Sequence, residues 1–306
     1  MIISVIVPVR NDRRIEECLN SLIHQDFPRD QYEILVVDNG STDPEIPQII
    51  QKFPVRYISE PRIGSYAARN SGIDQASGRI LAFTDSDCIL PATWLPTIKE
   101  HFEKKCCRIC VGRSYSSQDS IVSKWIQSID DVRSTKLLDQ QIVNYFDTRN
   151  VAAFREIFLK DRFDSTFVSA GDLEFGLRIT NQGERIHFLQ QLEVEHRHSA
   201  SLFAALKRGI RRGKGIARLQ EKYGSFLFID GEREWKFRNI NLKSHLLRLT
   251  QNRFFCWLLL PAVVLANASL FVVLIVMKYA APNSAITRSW FNYFDRSSLL
   301  LGRLLR

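Results

Sequence analysis

The chain has 306 residues, of which 45% are hydrophobic and 25% are charged. This is the composition of an ordinary globular protein, and it excludes the collagen-like, intrinsically disordered and disulfide-rich classes. The length predicts two domains or one large one, with enough residues to bury a substantial core. Residues 1–200 carry 24 basic and 28 acidic side chains, whereas residues 201–306 carry 18 and 5. Such a basic C-terminal region typically meets an anionic partner, either phospholipid or nucleic acid.

The N-terminus and the cysteines favour a reducing, cytosolic setting. Met1–Ser4 lacks the basic region of a secretory signal and leads directly into a strand pattern. The six cysteines are therefore expected to be reduced. Cys107 and Cys110 have the spacing of half a zinc site, but no second cysteine pair completes it. The sequence after Cys110 is better explained as a buried strand.

The first 90 residues alternate between predicted strands and helices. Apolar runs predict strands at 2–7, 32–37, 55–58 and 80–83, and helical spacing predicts helices at 13–25, 43–51 and 64–75. This alternation predicts an α/β fold with a mostly parallel sheet that is covered by helices on both faces. Such sheets bind ligands at the carboxyl ends of their strands, where Asp38, Asp85 and Asp87 fall.

Beyond residue 90 the alternation is less regular, and residues 114–148 are polar without a clear assignment. The predicted elements are helices at 92–104 and 171–181 and strands at 108–112, 150–154, 186–188 and 193–195. A long basic helix is predicted over 201–222. Its cations are expected to face anionic lipid or a lipid-linked phosphate, and a solvated surface is the alternative.

Residues 254–277 contain no charged side chain. A helix of this length measures about 36 Å and could cross a hydrocarbon core about 30 Å thick. We therefore expect a membrane segment, either a single span or an in-plane hairpin folded at Pro261 and Asn267. A buried helix of a soluble domain is the alternative. The tail 278–306 combines aromatic, leucine and arginine residues and suits an interfacial amphipathic helix.

The sequence Asp85-Ser86-Asp87 directly follows a predicted strand. Carboxylates in this position suit Mg²⁺ or Mn²⁺, which prefer oxygen ligands and bind diphosphates. The sequence has no GxxxxGK[ST] loop and no GxGxxG after the first strand. A diphosphate would therefore be held mainly by a metal ion and basic side chains.

Seven segments resemble, in order, the motifs of family 2 glycosyltransferases with the GT-A fold. They are SVIVPVRN (4–11), VVDNGSTD (36–43), GSYAARNSG (64–72), FTDSDC (83–88), NVAAFR (150–155), GDLEFGLR (171–178) and VEHRHS (194–199). The resemblance covers about residues 1–220. It implies an inverting enzyme that uses Mg²⁺ or Mn²⁺ to move a sugar from a nucleoside-diphosphate sugar to a hydroxyl acceptor. The Gln-x-x-Arg-Trp motif of processive members is absent, which favours a non-processive enzyme.

The resemblance implies a role for each matching residue. The donor pocket would be lined by Pro8, Val9, Arg10, Asp38, Arg69, Asp85 and Ser86. The metal ion at the diphosphate would be bound by Asp87 with His196 or, as the weaker candidate, His198. Asp172 would be the general base. The alternative for Asp172 is a capping residue at the start of a helix, and the alternative for the two histidines is that they are ordinary surface residues. The acceptor side would include Asn150, Arg155 and Glu174, and Glu174 could serve for the glutamate that the family usually has where this chain has Gly171.

The predicted organisation is a GT-A catalytic domain followed by membrane-associated segments. Their bounds are 1–200 (donor half 1–112, acceptor half 113–200), a basic helical region 201–253, the membrane segment 254–277 and the tail 278–306. The expected partners are a nucleoside-diphosphate sugar, a glycan or lipid-linked acceptor and membrane lipids, without nucleic acid. The catalytic domain is expected on the cytoplasmic side of a membrane, where nucleotide sugars occur. The alternatives are a nucleotidyltransferase on a similar sheet, or a catalytically degenerate glycan- or lipid-binding membrane protein.

Overall fold

The computed structural model describes residues 2–104, 107–135, 142–143, 146–223, 253–280 and 285–305. They divide into two compact units. The first comprises 1–117, 131–167 and 171–197, and the second comprises 118–130, 168–170 and 198–306.

A nine-stranded sheet forms the centre of the first unit. Its strands are β1 Ile3–Val9, β2 Tyr32–Asp38, β3 Arg56–Ser59, β4 Ile80–Phe83, β5 Cys88–Ile89, β6 Ile109–Tyr115, β7 Ile142–Val143, β8 Val151–Phe154 and β9 Ile186–His196. The order across the sheet is β3-β2-β1-β4-β8-β6-β9-β5, and β7 also pairs with β9.

The sheet is mixed, so the expected mostly parallel sheet is correct only for its first part. Strands β3, β2, β1 and β4 are parallel, and so are β6 and β9. In contrast, β8 is antiparallel to β4 and β6, and β5 and β7 are antiparallel to β9. The regular alternation of strand and helix, which produces parallel pairing, ends after β4.

The helices of the described residues agree with most of the predicted ones. They are α1 Ile15–Ile23, α2 Glu45–Gln51, α3 Ser65–Gln75, α4 Trp94–Lys104, α5 Ile121–Thr135, α6 Arg155–Lys160, α7 Gly171–Asn181, α8 Leu202–Tyr223, α9 Arg253–Ala280 and α10 Ala285–Leu304. Helix α5 lies in the stretch that the sequence pattern left unassigned. The two short strands predicted at 186–188 and 193–195 are one strand, β9, whose pairing with β6 shifts register in the middle.

Two groups of apolar side chains pack against the sheet. All seven residues of β1 are buried, as expected for a central strand covered on both faces. One group joins the strands to α1, α2 and α4. The other is a group of phenylalanines with ring centroids 4.6–6.4 Å apart, namely Phe83, Phe146, Phe158, Phe163 and Phe175. Because Phe175 belongs to α7, this group fixes the helix that carries Asp172.

The second unit is built mainly from helices. A buried cluster joins the beginning of α5 to α8, α9 and α10, and its members are Val122, Trp125, Ile126, Leu202, Ala205, Leu274, Phe291 and Phe294. Helices α8 and α10 approach closely at Gly209 and Gly302. A Cβ at Gly302 would lie 1.9 Å from the carbonyl oxygen of Ile210.

The expected membrane segment 254–277 lies within α9, and part of its surface packs inside the second unit. Asn267 is buried and donates from Nδ2 to Ser297 Oγ at 2.9 Å, and Leu274 is fully buried. Across the described ranges, the structure has no helix that combines the length and the apolar character needed to cross a membrane. The expected single span is therefore not found.

Candidate active site

The loops after β1 and β2 are joined at the carboxyl edge of the parallel strands. Pro8 and Val9 are buried at the end of β1, and Arg10 is the first exposed residue after it. Asn11 has a φ of 52°, and its Oδ1 accepts hydrogen bonds from the backbone N–H groups of Thr42 and Asp43 at 2.7 and 2.9 Å. These bonds hold together the two loops predicted to line the donor pocket.

Asp38 is buried at the end of β2. Its Oδ1 accepts from the Ser41 backbone N–H and its Oδ2 from the Tyr57 hydroxyl, both at 2.9 Å. Burial, and then the hydrogen bond to Asp38, raise the pKa of Tyr57 to about 12. Tyr57 therefore stays protonated at neutral pH and keeps the Asp38 carboxylate oriented.

Arg69 and Asp85 form an ion pair at the end of β4. The Arg69 guanidinium is buried and also donates to the Ser65 carbonyl at 3.3 Å, whereas the Asp85 side chain is partly exposed. Ser86 is buried, with its hydroxyl 3.5 Å from Asp12 Oδ2. Arg69 thus holds Asp85 in place and leaves part of its carboxylate accessible to a ligand.

Asp87 and His196 are brought together by the antiparallel pairing of β5 with β9, in which Cys88 lies opposite His196. Asp87 Oδ2 lies 3.2 Å from His196 Nε2 and 3.3 Å from the Arg14 guanidinium. Burial opposes ionisation of Asp87, but the surrounding His196, Arg14 and Arg149 outweigh it and hold the pKa of the carboxyl well below its usual range. Asp87 is therefore a carboxylate over the whole physiological pH range.

Two arginines complete this group, and sequence reasoning missed both. Arg14 follows β1 and binds Asp12 with two nitrogens at 2.7 and 2.8 Å. Arg149 binds Asp147 at 2.5 Å and lies 3.3 Å from His196 Nδ1. Arg149 directly precedes the NVAAFR motif, so its position next to a matching segment was an available signal.

Asp172 lies in the first turn of α7, and Tyr66 on α3 determines its surroundings. The Tyr66 hydroxyl donates to Asp172 Oδ1 at 3.1 Å and accepts from the Gly171 N–H at 2.8 Å. The Leu173 N–H also donates to Asp172 Oδ1, at 2.9 Å. Burial, and then the negative charge of Asp147, raise the pKa of Asp172 despite these donors. A raised pKa makes the carboxylate a stronger base.

The same tyrosine explains the glycine at 171. A Cβ on Gly171 would lie 2.6 Å from Tyr66 Cε2, which is too close for any side chain while the ring keeps its position. The Tyr66 ring therefore occupies the space next to Asp172 into which a residue at 171 would extend.

Asn150, which the resemblance assigned to the acceptor side, has a structural role in this fold. Its Oδ1 accepts from Trp94 Nε1 at 2.8 Å, and its Nδ2 donates to the carbonyls of Arg113 and Leu192. These bonds bridge β6 and β9 where their register shifts, so the amide is used inside the protein.

Arg155, Glu174 and His198 have surroundings that the sequence did not predict. Because β8 runs antiparallel to β4, Arg155 follows the strand end opposite to the one that leads to Asp85. Glu174 is fully buried and binds Arg178 one turn later in α7, at 3.0 Å. His198 is buried within the second unit. The structure therefore brings Asp87 to His196 and Arg69 to Asp85, whereas Arg155 and Glu174 have other partners.

Comparison with known proteins determines the family. Residues 4–163 match the family described as "Glycosyl transferase family 2". The glycosyltransferase AglE of Haloferax volcanii is 32% identical over 231 residues, which cover 70% of this chain and 72% of that protein. The chain belongs to glycosyltransferase family 2.

Solved structures show which fold this family 2 glycosyltransferase shares. The mannosyltransferase PcManGT of Pyrobaculum calidifontis, in complex with GDP-Man and Mn²⁺, aligns with a TM-score of 0.64 at 19% identity over 99% of this chain and 86% of that one. TarS 1–349 of S. aureus in complex with UDP aligns with a TM-score of 0.55 at 19% identity over 99% of this chain and 89% of that one. The glycosyltransferase therefore has an α/β GT-A-like fold with a mixed sheet.

Proposed function

We propose that this glycosyltransferase moves a sugar, with inversion, from a nucleoside-diphosphate sugar to a hydroxyl acceptor and adds one residue per encounter. The proposal rests on one observation: an ionised Asp87 contacts His196 and Arg14, and Arg149 contacts the same histidine. These side chains lie at the strand edge that also carries Asp85. Two guanidinium groups beside a carboxylate and an imidazole suit a ligand with several negative charges, such as a diphosphate.

The same edge offers groups for the rest of the donor. Asp38 and Asp85 are carboxylates held by a tyrosine and an arginine, so each can accept hydrogen bonds from a base or a ribose hydroxyl. The solved relatives with the same fold hold GDP-Man with Mn²⁺ and UDP, which supports a nucleoside-diphosphate sugar as the donor.

A divalent cation fits the residues at this position. The Asp87 carboxylate and the His196 imidazole supply one oxygen and one nitrogen donor side by side, a set that Mn²⁺ and Mg²⁺ accept. Such an ion, when bound, stabilises the negative charge of the leaving diphosphate. Arg14 and Arg149 would bind the diphosphate oxygens from the protein side.

Asp172 supplies the remaining function of an inverting transfer, the removal of a proton from the acceptor hydroxyl. Its raised pKa improves it as a base, and the Tyr66 hydroxyl orients the carboxylate. Because Gly171 carries no side chain, the acceptor would meet Asp172 beside the Tyr66 ring.

We further propose that the protein associates with the cytoplasmic face of a membrane, with lipid or a lipid-linked glycan acceptor nearby. Helix α9 exposes apolar residues on the side that does not pack against α10, including Val264, Leu265 and Val272. Helix α8 exposes basic residues such as Lys207 and Arg211. An apolar helix surface together with exposed cations is the combination that binds anionic membranes at the interface.

A donor screen tests the proposed reaction. Purified full-length protein is incubated with a panel of nucleoside-diphosphate sugars and Mn²⁺, and release of nucleoside diphosphate is measured. At least one donor is expected to give release that stops when chelator is added. Pyrophosphate release from a nucleoside triphosphate would instead identify a nucleotidyltransferase, and binding of glycan without turnover of any donor would identify a degenerate binding protein.

A further inference from the structure

Three metal-ligating side chains meet outside the candidate active site. His101 lies in the last turn of α4, Cys107 lies between α4 and β6, and His187 is the second residue of β9. His196, at the active site, is the last residue of the same strand, so the extended backbone separates the two histidines by roughly 30 Å. The group therefore belongs to a different part of the first unit.

The three side chains converge closely. One ligand atom of each, the Cys107 sulfur and a ring nitrogen of each histidine, lie within 4.8 Å of one another. The two imidazole rings have centroids 5.7 Å apart and an interplanar angle of 58°. Cys107 is buried, and its sulfur contacts His101 Nε2 directly. Both histidines are partly accessible, which leaves a path for an ion.

We propose that His101, Cys107 and His187 bind a zinc ion, with water in the fourth position. Thiolate sulfur and imidazole nitrogen are the ligands that zinc prefers, and three protein ligands with a water are a recurrent zinc arrangement. Mg²⁺ prefers oxygen ligands and would not compete. A bound ion would link the end of α4 to the beginning of β9.

The proposed site uses only one cysteine of the pair whose spacing suggested half a zinc site. His101, six residues before Cys107, and His187, which is distant in the sequence, supply the other two protein ligands. Cys110 lies opposite His187 in the pairing of β6 with β9, but it is not one of the three side chains whose ligand atoms converge.

Cobalt substitution tests this site without any measurement of activity. Full-length protein is stripped with chelator and titrated with Co²⁺, which gives a near-ultraviolet charge-transfer band only when a thiolate binds it. The band is expected to saturate at one equivalent. It should persist in Asp87→Ala, which alters the candidate active site, and in His24→Asn, which alters an exposed histidine.

Variants of the ligands decide the outcome. Cys107→Ser should lose the band, and His187→Asn should bind Co²⁺ more than about 10-fold more weakly, because even residues that only orient ligands cost 10–100-fold. Zinc should raise the thermal unfolding temperature of the original protein but not that of Cys107→Ser. Absence of the band from the original protein, or its persistence in Cys107→Ser, would overturn the proposal. If Cys107→Ser does not fold, an unchanged cobalt affinity in His187→Asn would overturn the proposal instead.

Discussion

Asp172 is the residue whose substitution separates catalysis from donor binding. Asp172→Asn keeps the shape of the side chain but cannot accept a proton at neutral pH. We expect kcat to fall by about 10²–10⁴-fold with little change in the KM for the donor. The matched control is Asp119→Asn, which changes a fully exposed aspartate and should leave both parameters unchanged. A large rise in donor KM without a fall in kcat would place Asp172 in the donor site instead.

The Tyr66 hydroxyl should set the pH at which this base becomes active. The base works when deprotonated, so the rate rises as the pH increases through the pKa of Asp172. Because the hydroxyl stabilises the carboxylate, Tyr66→Phe should raise that pKa further and move the acid limb of the kcat–pH profile to higher pH. The rates on the high-pH plateau should differ much less than those on the acid limb. An unchanged limb, or one moved to lower pH, would contradict this role.

Sequence reasoning named some side chains that the structure brings into contact and others that it does not, for a physical reason. Asp87 and His196 were assigned to one metal ion, and the structure puts them 3.2 Å apart. Arg14 and Arg149 were missed because their contacts with Asp87 and His196 join residues that are far apart in the sequence. Arg155 was misplaced because its position depends on the direction of β8, which a local motif does not encode.

At the scale of the helices, the contact between α8 and α10 depends on the absence of a side chain at Gly302. Alanine normally stabilises a helix interior by about 1 kcal/mol relative to glycine. Here its Cβ would lie 1.9 Å from the Ile210 carbonyl oxygen. Gly302→Ala should therefore lower the free energy of unfolding by about 1–3 kcal/mol, as overpacking does. Thermal or denaturant unfolding measures the effect.

Asn292→Ala is the control for this prediction, because Asn292 is exposed on the same helix. Its effect on the free energy of unfolding should stay within about 0.5 kcal/mol. Equal stabilisation by both substitutions would show that the two helices do not pack at Gly302.

The strands and helices were predictable where the local pattern is strong. The first four strands and the helices between them follow from apolar runs and helical spacing, both properties of adjacent residues. Strand β9 was divided because Gln190 and Gln191 are exposed in its middle, where its pairing with β6 shifts register. The antiparallel β8 was not foreseen, since a four-residue apolar run carries no information about direction.

For the whole molecule, the uncharged segment 254–277 shows that hydropathy alone does not distinguish a membrane helix from a helix that packs against protein. An uncharged segment can pack against lipid or against neighbouring helices, and α9 uses one side for contacts with α10. The exposed apolar side of α9 is the basis of the proposed membrane association. The basic charge of the C-terminal region, in contrast, was evident from composition alone.

Leu265→Lys tests that proposal. Leu265 is 68% exposed on α9, so a lysine should be tolerated by the fold but should disfavour insertion into the apolar part of a bilayer. We expect reduced sedimentation with vesicles that contain anionic lipid. Leu159→Lys is the control, because Leu159 is 59% exposed on α6 and is not part of the proposed surface. An equal loss of sedimentation in both variants, or no loss in either variant, would contradict attachment through α9.

The metal dependence of donor turnover tests the central claim most directly. Release of nucleoside diphosphate from the donor identified in the screen is measured against Mn²⁺ concentration for the original protein, Asp87→Ala and the exposed control Asp119→Ala. The account predicts saturable activation by Mn²⁺ in the original protein and in Asp119→Ala, and loss of turnover in a folded Asp87→Ala because the leaving diphosphate is no longer stabilised. Full turnover in the presence of chelator, or Mn²⁺-activated turnover in Asp87→Ala equal to that of Asp119→Ala, would contradict it.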